Sequence, residues 1–285
     1  MAKGNLLLGT AKNSVGDVVM YRREGAQITR VRVRNVKNPK TNAQSFQRAI
    51  MAPIAKFYSP LSVVLERSFE GLSKAKSHNK FNQVNANLAR KNKWALPKGT
   101  GFFPLPYQLS QGTLQAVGVS YDSEDLNFKL NVVHGTGELT TVGQLSTDFV
   151  NAGYKAGDVV TIIAVSEGDV AGSYFPVTIQ FEVNPDSIAT IESLETSNVS
   201  IGASSGEAVV INESSDRISA CAVIVSRFDG TMWRRSTQSL VVKEDIITSV
   251  TADAAVAAAI ASYGQTAGDG NPLVYLDGDE LADGE

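Results

Sequence analysis

Trp94-Ala95-Leu96-Pro97-Lys98-Gly99-Thr100-Gly101-Phe102-Phe103-Pro104-Leu105-Pro106-Tyr107-Gln108-Leu109-Ser110 carries three prolines and two glycines in seventeen residues. Both residue types punctuate regular structure, so the stretch reads as a linker over 94–110. Before it, apolar residues recur at helical spacing. Beyond it, they alternate with a period of two. The change predicts an α+β chain in four parts. Residues 1–93 form a basic hairpin-helical domain, 94–110 the linker, 111–243 an all-β immunoglobulin-like sandwich, and 244–285 a short C-terminal helix with an acidic tail.

Upstream, Val18-Val19-Met20-Tyr21 reads as a strand and Glu24-Gly25 as a turn, with Gln27 to Arg34 returning. Arg30, Arg32 and Arg34 then share one strand face, with Val31 and Val33 on the other, facing the core. Asn38-Pro39 ends the strand. Thr41 or Asn42 caps a helix carrying Phe46, Ile50, Ile54, Phe57 or Tyr58, and Leu61, which Pro53 and Pro60 should kink or divide. A second helix runs from about Ser77 to Lys91 through Phe81, Val84 and Leu88, with His78 on its polar face.

Downstream, strands are expected over 126–132, 159–165, 175–183, 208–211, 218–228 and 232–242. Val159 to Val165 is apolar enough for a central strand, Pro176 favours an edge, and Asp229-Gly230 signals a hairpin. About seven short strands with turn signals between them suggest the sandwich. Thr251 caps an alanine-rich helix ending at Gly264, whose stripe of Val256, Ile260 and Tyr263 suits docking on a partner.

The net charge of −3 conceals a division. Residues 1–100 hold 19 of the 26 Lys and Arg but 4 of the 29 Asp and Glu, a net of 19 − 4 = +15. The remainder holds 7 basic and 25 acidic residues, a net of 7 − 25 = −18. Such a split attracts polyanions or acidic protein surfaces to one end and lets like molecules associate head to tail. The apolar fraction of 43% is ample for a core. No apolar run of membrane-spanning length or signal-peptide type occurs, so cytosolic synthesis and no membrane partner are expected.

Motifs for catalysis are sparse. His78 and His134 fall in different expected domains, and Cys221 sits mid-strand among alternating Ala and Val, as a small buried hydrophobe does. Gly135-Thr136-Gly137 lacks the third glycine of a dinucleotide loop. Asp277-Gly278-Asp279-Glu280 leaves no room for a calcium loop before Glu285. A non-enzymatic protein without metal or cofactor is expected. The binding candidates are basic. Arg30, Arg32 and Arg34 recur about every 6.6–6.8 Å, close to the spacing of phosphates on one strand. Arg22, Arg23, Lys37 and Lys40 lie on the same hairpin or just beyond it. The face suits either a nucleic-acid backbone or acidic residues of a neighbouring subunit. Trp233-Arg234-Arg235 is a possible interface, with a core tryptophan and two outward arginines as its plainer reading.

Gly9-Thr10-Ala11-Lys12-Asn13-Ser14-Val15-Gly16-Asp17-Val18-Val19, then Gln27-Ile28-Thr29-Arg30, then Asn38-Pro39-Lys40-Thr41-Asn42-Ala43-Gln44 with Arg48, resembles a family of uncharacterised proteins. These are encoded by gut Bacteroidetes and by small phages of gut metagenomes. Cys221 to Arg227, followed by Trp233 to Ser236, fits as well. The resemblance implies a structural protein of a small bacteriophage virion, meeting itself or other virion proteins. A genome-binding protein using the arginine ribbon is the alternative.

Overall fold

The computed structural model describes residues 13–15, 17–23, 26–32, 41–170, 172–196, 199–212 and 217–264. It divides into two compact units, Met1–Lys40 and Thr41–Glu285.

The described part of the first unit is an antiparallel ribbon of β1 (Asn13–Val15), β2 (Val18–Arg23) and β3 (Ala26–Val31), in the order β1-β2-β3. Val15 pairs with Val18 and Arg23 with Ala26, so two residues join the strands at each corner. That is the shortest common hairpin connection, which the sequence predicts at Glu24-Gly25 and not at the first corner. The expected core face is not found, because Val31 is 74% exposed. Three short strands supply no second layer of their own, so alternation within β3 does not make one face a core. Val33 lies outside the described residues.

In the second unit, Thr41 caps α1 (Asn42–Leu61), its hydroxyl accepting from the Gln44 N–H at 3.4 Å. The helix is continuous through Pro53 and Pro60, where a kink or break is expected. Proline at 53 leaves the Ala49 carbonyl without its helical donor. The Leu96 N–H fills that role at 3.1 Å. Lone-pair satisfaction from another segment thus lets the helix run on. After α2 (Lys74–Lys91), the Asn85 side chain on its inner face mimics a strand. It donates to the Gln108 carbonyl at 3.0 Å and accepts from the Gln108 N–H at 2.8 Å. This fixes β4 (Gln108–Ser110).

The remaining elements are β5 (Val119–Asp122), β6 (Asn127–Val133), α3 (Val142–Asn151), β7 (Val159–Glu167), β8 (Tyr174–Glu182), β9 (Ser200–Gly202), β10 (Ala208–Asn212) and β11 (Ile218–Phe228). Then come β12 (Trp233–Arg235), β13 (Gln238–Ser239), β14 (Val241–Val242), α4 (Glu244–Thr251) and α5 (Asp253–Tyr263). All named strand pairs are antiparallel. One sheet has the order β5-β6-β10-β9, the other β12-β11-β7-β8 with β14 also on β11, and β13 pairs with β4. The fold is α+β, with two antiparallel sheets packed face to face.

Alternation in β7 and β11 assigns their two faces to two cores. Ile162, Ala164, Cys221, Val223 and Val225 join Phe128, Val132 and Val209 of the other sheet, with Phe149 of α3. Ile163, Val165, Ala220, Ala222 and Ile224 join Phe57, Leu61 and Phe81 of the helices. Leu96, Leu105, Tyr107 and Leu109 belong to this second core, each no more than 2% exposed. The segment 94–110 is therefore not a linker between domains. Its prolines need no hydrogen-bond donor's partner, so an extended chain can cross a core with few polar groups to satisfy.

The C-terminal helix is a bent pair, with Ala252 rather than Thr251 preceding α5. Val256 (2% exposed) and Ala259 (0%) lie in the helical core, so the stripe builds this core rather than awaiting a partner. Among the described residues no single helix is long and apolar enough to cross a membrane.

Candidate interaction surfaces

On the ribbon, Val19 is the cross-strand neighbour of Arg30, which brings Tyr21 diagonally onto the same face. The Arg30 guanidinium lies 5.7 Å from the Tyr21 ring centroid, within cation–π range. Arg30 and Arg32 are both exposed, and the Arg32 N–H donates to the Asp17 carbonyl at 2.6 Å. The β2 backbone carries Arg22 and Arg23, whose side chains lie outside the described residues. So do Arg34, Lys37 and Lys40. Two of the seven basic candidates are therefore placed, both on the surface of one ribbon.

At Trp233-Arg234-Arg235 the tryptophan is not the core residue of the plainer reading. Trp233 is 39% exposed and tilts against Phe228, itself 54% exposed, with ring centroids 5.5 Å apart. Both arginines are half-buried and tied to other parts of the fold. Arg234 reaches Glu70 at 2.6 Å and Asp229 at 2.8 Å. The Arg235 guanidinium sits 5.4 Å from the Trp233 ring, and its Nε donates to the Arg67 carbonyl at 3.4 Å. Glu70 also accepts from Thr113 N–H and Oγ1. Arg234 and Arg235 thus clamp the turn after α1 to the β11–β12 hairpin, leaving Phe228 and Trp233 as an exposed aromatic pair.

Burial pushes the Glu70 carboxyl up, but hydrogen bonds from Arg234, Thr113 and Arg235 outweigh it and hold it below 4.5. The N–H groups of Met232 and Thr231, with Arg234, bring Asp229 down to about 2. Carboxylates depressed in the folded state add stability above their unfolded value, and lose it as pH falls through the folded one. Glu70→Gln should therefore lower the melting temperature at pH 7. The gap to wild type should narrow progressively below pH 4.5. Parallel melting curves of both proteins from pH 7 to 3 check this, and a constant gap would mean the charge of Glu70 is immaterial.

Two further polar pairs are buried. Asp158, fully buried, takes two hydrogen bonds from Arg227, at 2.6 and 2.7 Å. His134 Nδ1 lies 2.6 Å from Asp148, with side chains 3% and 4% exposed, and the Gly135 N–H also donates to Asp148. His134 Nε2 is buried without a hydrogen-bond partner. Burial pushes the Cys221 thiol up, which keeps it from acting as a thiolate nucleophile. Among the described residues no three His, Cys, Asp or Glu side chains are grouped to hold a metal ion.

A groove of about 850 Å³ runs beside β9 and β10, and Glu138, Glu192, Glu195 and Glu207 line it without any basic residue. Glu195 accepts from the Ile201 N–H at 3.0 Å, capping the outer edge of the short strand β9.

Residues 9–113 match the model of a family of unknown function, DUF6266. The match spans the ribbon, both long helices and the 94–110 segment, and stops just after β4. No curated protein and no solved structure matches the chain.

Proposed function

We propose that this chain is a structural protein that assembles with copies of itself through oppositely charged regions. The observation that carries the reading is that the smaller unit is strongly basic while the larger one carries a long stretch that is acidic only. The unit Met1–Lys40 has nine Lys and Arg against two acidic residues, a net of 9 − 2 = +7. Within the other unit, residues 156–216 hold ten acidic residues and no Lys or Arg. Complementary fields of this kind steer association and fix its orientation. The resemblance of Asn38 to Arg48 to proteins of gut Bacteroidetes and their small phages supports a phage virion as the setting. The chain would then be made in the bacterial cytoplasm and would meet itself or other virion proteins.

A second reading rests on Arg30 and Arg32, exposed two residues apart on one ribbon. Such a pair suits a phosphate backbone, so the chain would bind nucleic acid without reading bases. One experiment separates the two. Sedimentation velocity of the purified protein should show assemblies near 0.1 M salt that shrink towards 1 M, as the Debye length falls from about 10 to 3 Å. Arg30→Gln with Arg32→Gln should weaken assembly while leaving the melting curve unchanged. If the wild type stays monomeric and binds a labelled oligonucleotide instead, the second reading holds. The double variant should then lower the slope of log K against log salt by roughly 2 units.

A further inference from the structure

The sheet β12-β11-β7-β8 ends in a strand with an open side. β8 is nine residues long, and β7 is its only partner strand among the described residues. Its polarity follows from the residue just beyond it. Val183 donates to the Asp158 carbonyl at 2.8 Å and accepts from the Gly157 N–H at 2.9 Å, so both its backbone groups face the β7 side. Alternation then turns the backbone groups of the odd residues of β8 inward. Those of Tyr174, Pro176, Thr178, Gln180 and Glu182 turn outward. Pro176 removes one outward donor, leaving four outward N–H groups beside five outward carbonyls.

Proteins generally protect such an edge with charge, a bulge or a covering segment. β9, at the edge of the other sheet, is three residues long and capped by Glu195. β8 has Pro176 and, at its last position, Glu182, and Phe175 on it is 36% exposed. Glu182 on the strand and Asp186 just beyond it are exposed, and Asp169 at the other end is paired with Arg217 at 2.6 Å, so the uncompensated charge beside β8 is acidic. The ribbon has the opposite character. β3 also ends its sheet, carries exposed Arg30 and Val31, and belongs to the unit with a net of +7.

We infer that the open edge of β8 accepts β3 of a second copy of this chain, extending the sheet across the contact. Main-chain hydrogen bonds provide the attachment, and the opposite charges select ribbon on edge over edge on edge. The contact joins two different surfaces, so it leaves a free ribbon at one end and a free edge at the other. Repetition closes a ring or grows a filament. This inference rests on the assembly reading above and specifies its contact.

Thr178→Pro tests it, because position 178 is exposed and its N–H points away from β7. Proline there removes an outward donor and sets its ring in the path of an incoming strand. The β7 ladder is left whole. Sedimentation near 0.1 M salt should show association weakened at least about tenfold, the effect of losing a hydrogen bond or two. Thr178→Ala should assemble as wild type. As a second measurement, Thr178→Cys and Arg30→Cys chains are mixed and treated with a short bismaleimide, Cys221 being buried. A cross-linked species that needs both variants is expected. A folded Thr178→Pro protein that assembles normally overturns the inference but leaves charge-driven assembly standing. Cross-linking of Thr178→Cys to itself would also overturn it, because two β8 edges would then meet. A monomeric wild type removes the assembly reading and this contact together.

Discussion

A chain cut to residues 111–243 is expected not to fold by itself, although it keeps every strand of the two sheets. The cut strips the helices and β4 from one face of the central sheet. Ile163, Val165, Ala220, Ala222 and Ile224, at most 3% exposed in the intact protein, would then face water. Burying one Ile or Val side chain contributes about 1.5–3 kcal/mol, so the three large ones alone represent roughly 5–9 kcal/mol. A typical domain has a net stability of about 5–15 kcal/mol. The cut also removes the Glu70 partner of Arg234, the β4 partner of β13, and the Tyr107 carbonyl that accepts from Leu240. Residues 41–264, by contrast, should melt cooperatively near the temperature of the whole chain. Circular dichroism and thermal melting of both fragments measure the difference. A cooperative transition for 111–243 near the full-length midpoint would restore a domain boundary at 94–110.

The misreading of that boundary has a physical origin. Proline and glycine mark the absence of helix and strand, but absence of regular structure is not exposure to water. Around its prolines the segment carries Trp94, Leu96, Leu105, Tyr107 and Leu109, all buried. Its apolar content was the better signal, because a solvated linker has no use for it. Strands were legible wherever local pattern decides: 218–228 coincides with β11, and 159–165 and 175–183 lie within a residue or two of β7 and β8. The expected strand 232–242 divides into β12, β13 and β14, because successive parts pair with β11, β4 and β11 again. No local pattern encodes that change of partner. Helix α3 was missed, yet Thr141-Val142-Gly143-Gln144 is a capping box ahead of Leu145 and Phe149, and the box is present in the fold. For the candidate surfaces, the charge pattern was legible and its geometry was not. Alternation identified which ribbon residues share a face, but Val31 shows that neither face need be a core. Glu70 with Arg234 and Asp158 with Arg227 are separated by 164 and 69 residues, so only tertiary structure pairs them.

Arg227→Leu is expected to destabilise the fold by about 3 kcal/mol, towards the low end of the range for breaking a buried ion pair. Asp158 is the reason. It sits at the start of β7 with its side chain fully buried, and besides Arg227 it accepts the Lys155 N–H at 2.9 Å. Without the guanidinium, a carboxylate remains in the interior with backbone donors alone. The low end applies because a quarter of the Arg227 side chain is exposed, which lets water offset part of the loss. Adding Asp158→Leu should recover most of the stability, since an apolar pair in place of a buried ion pair is often neutral or better. Urea denaturation of wild type, both single variants and the double variant gives the coupling energy directly. Single variants that each cost little would mean that Asp158 is satisfied without its partner. The same variants bear on assembly, because Arg227 and Asp158 tie β11 to β7 at the end of the sheet where Val183 sets the register of β8. If the open edge of β8 is the docking strand, the folded double variant should assemble as wild type. The pair supports the strand but contributes none of the outward N–H groups that a second copy would meet.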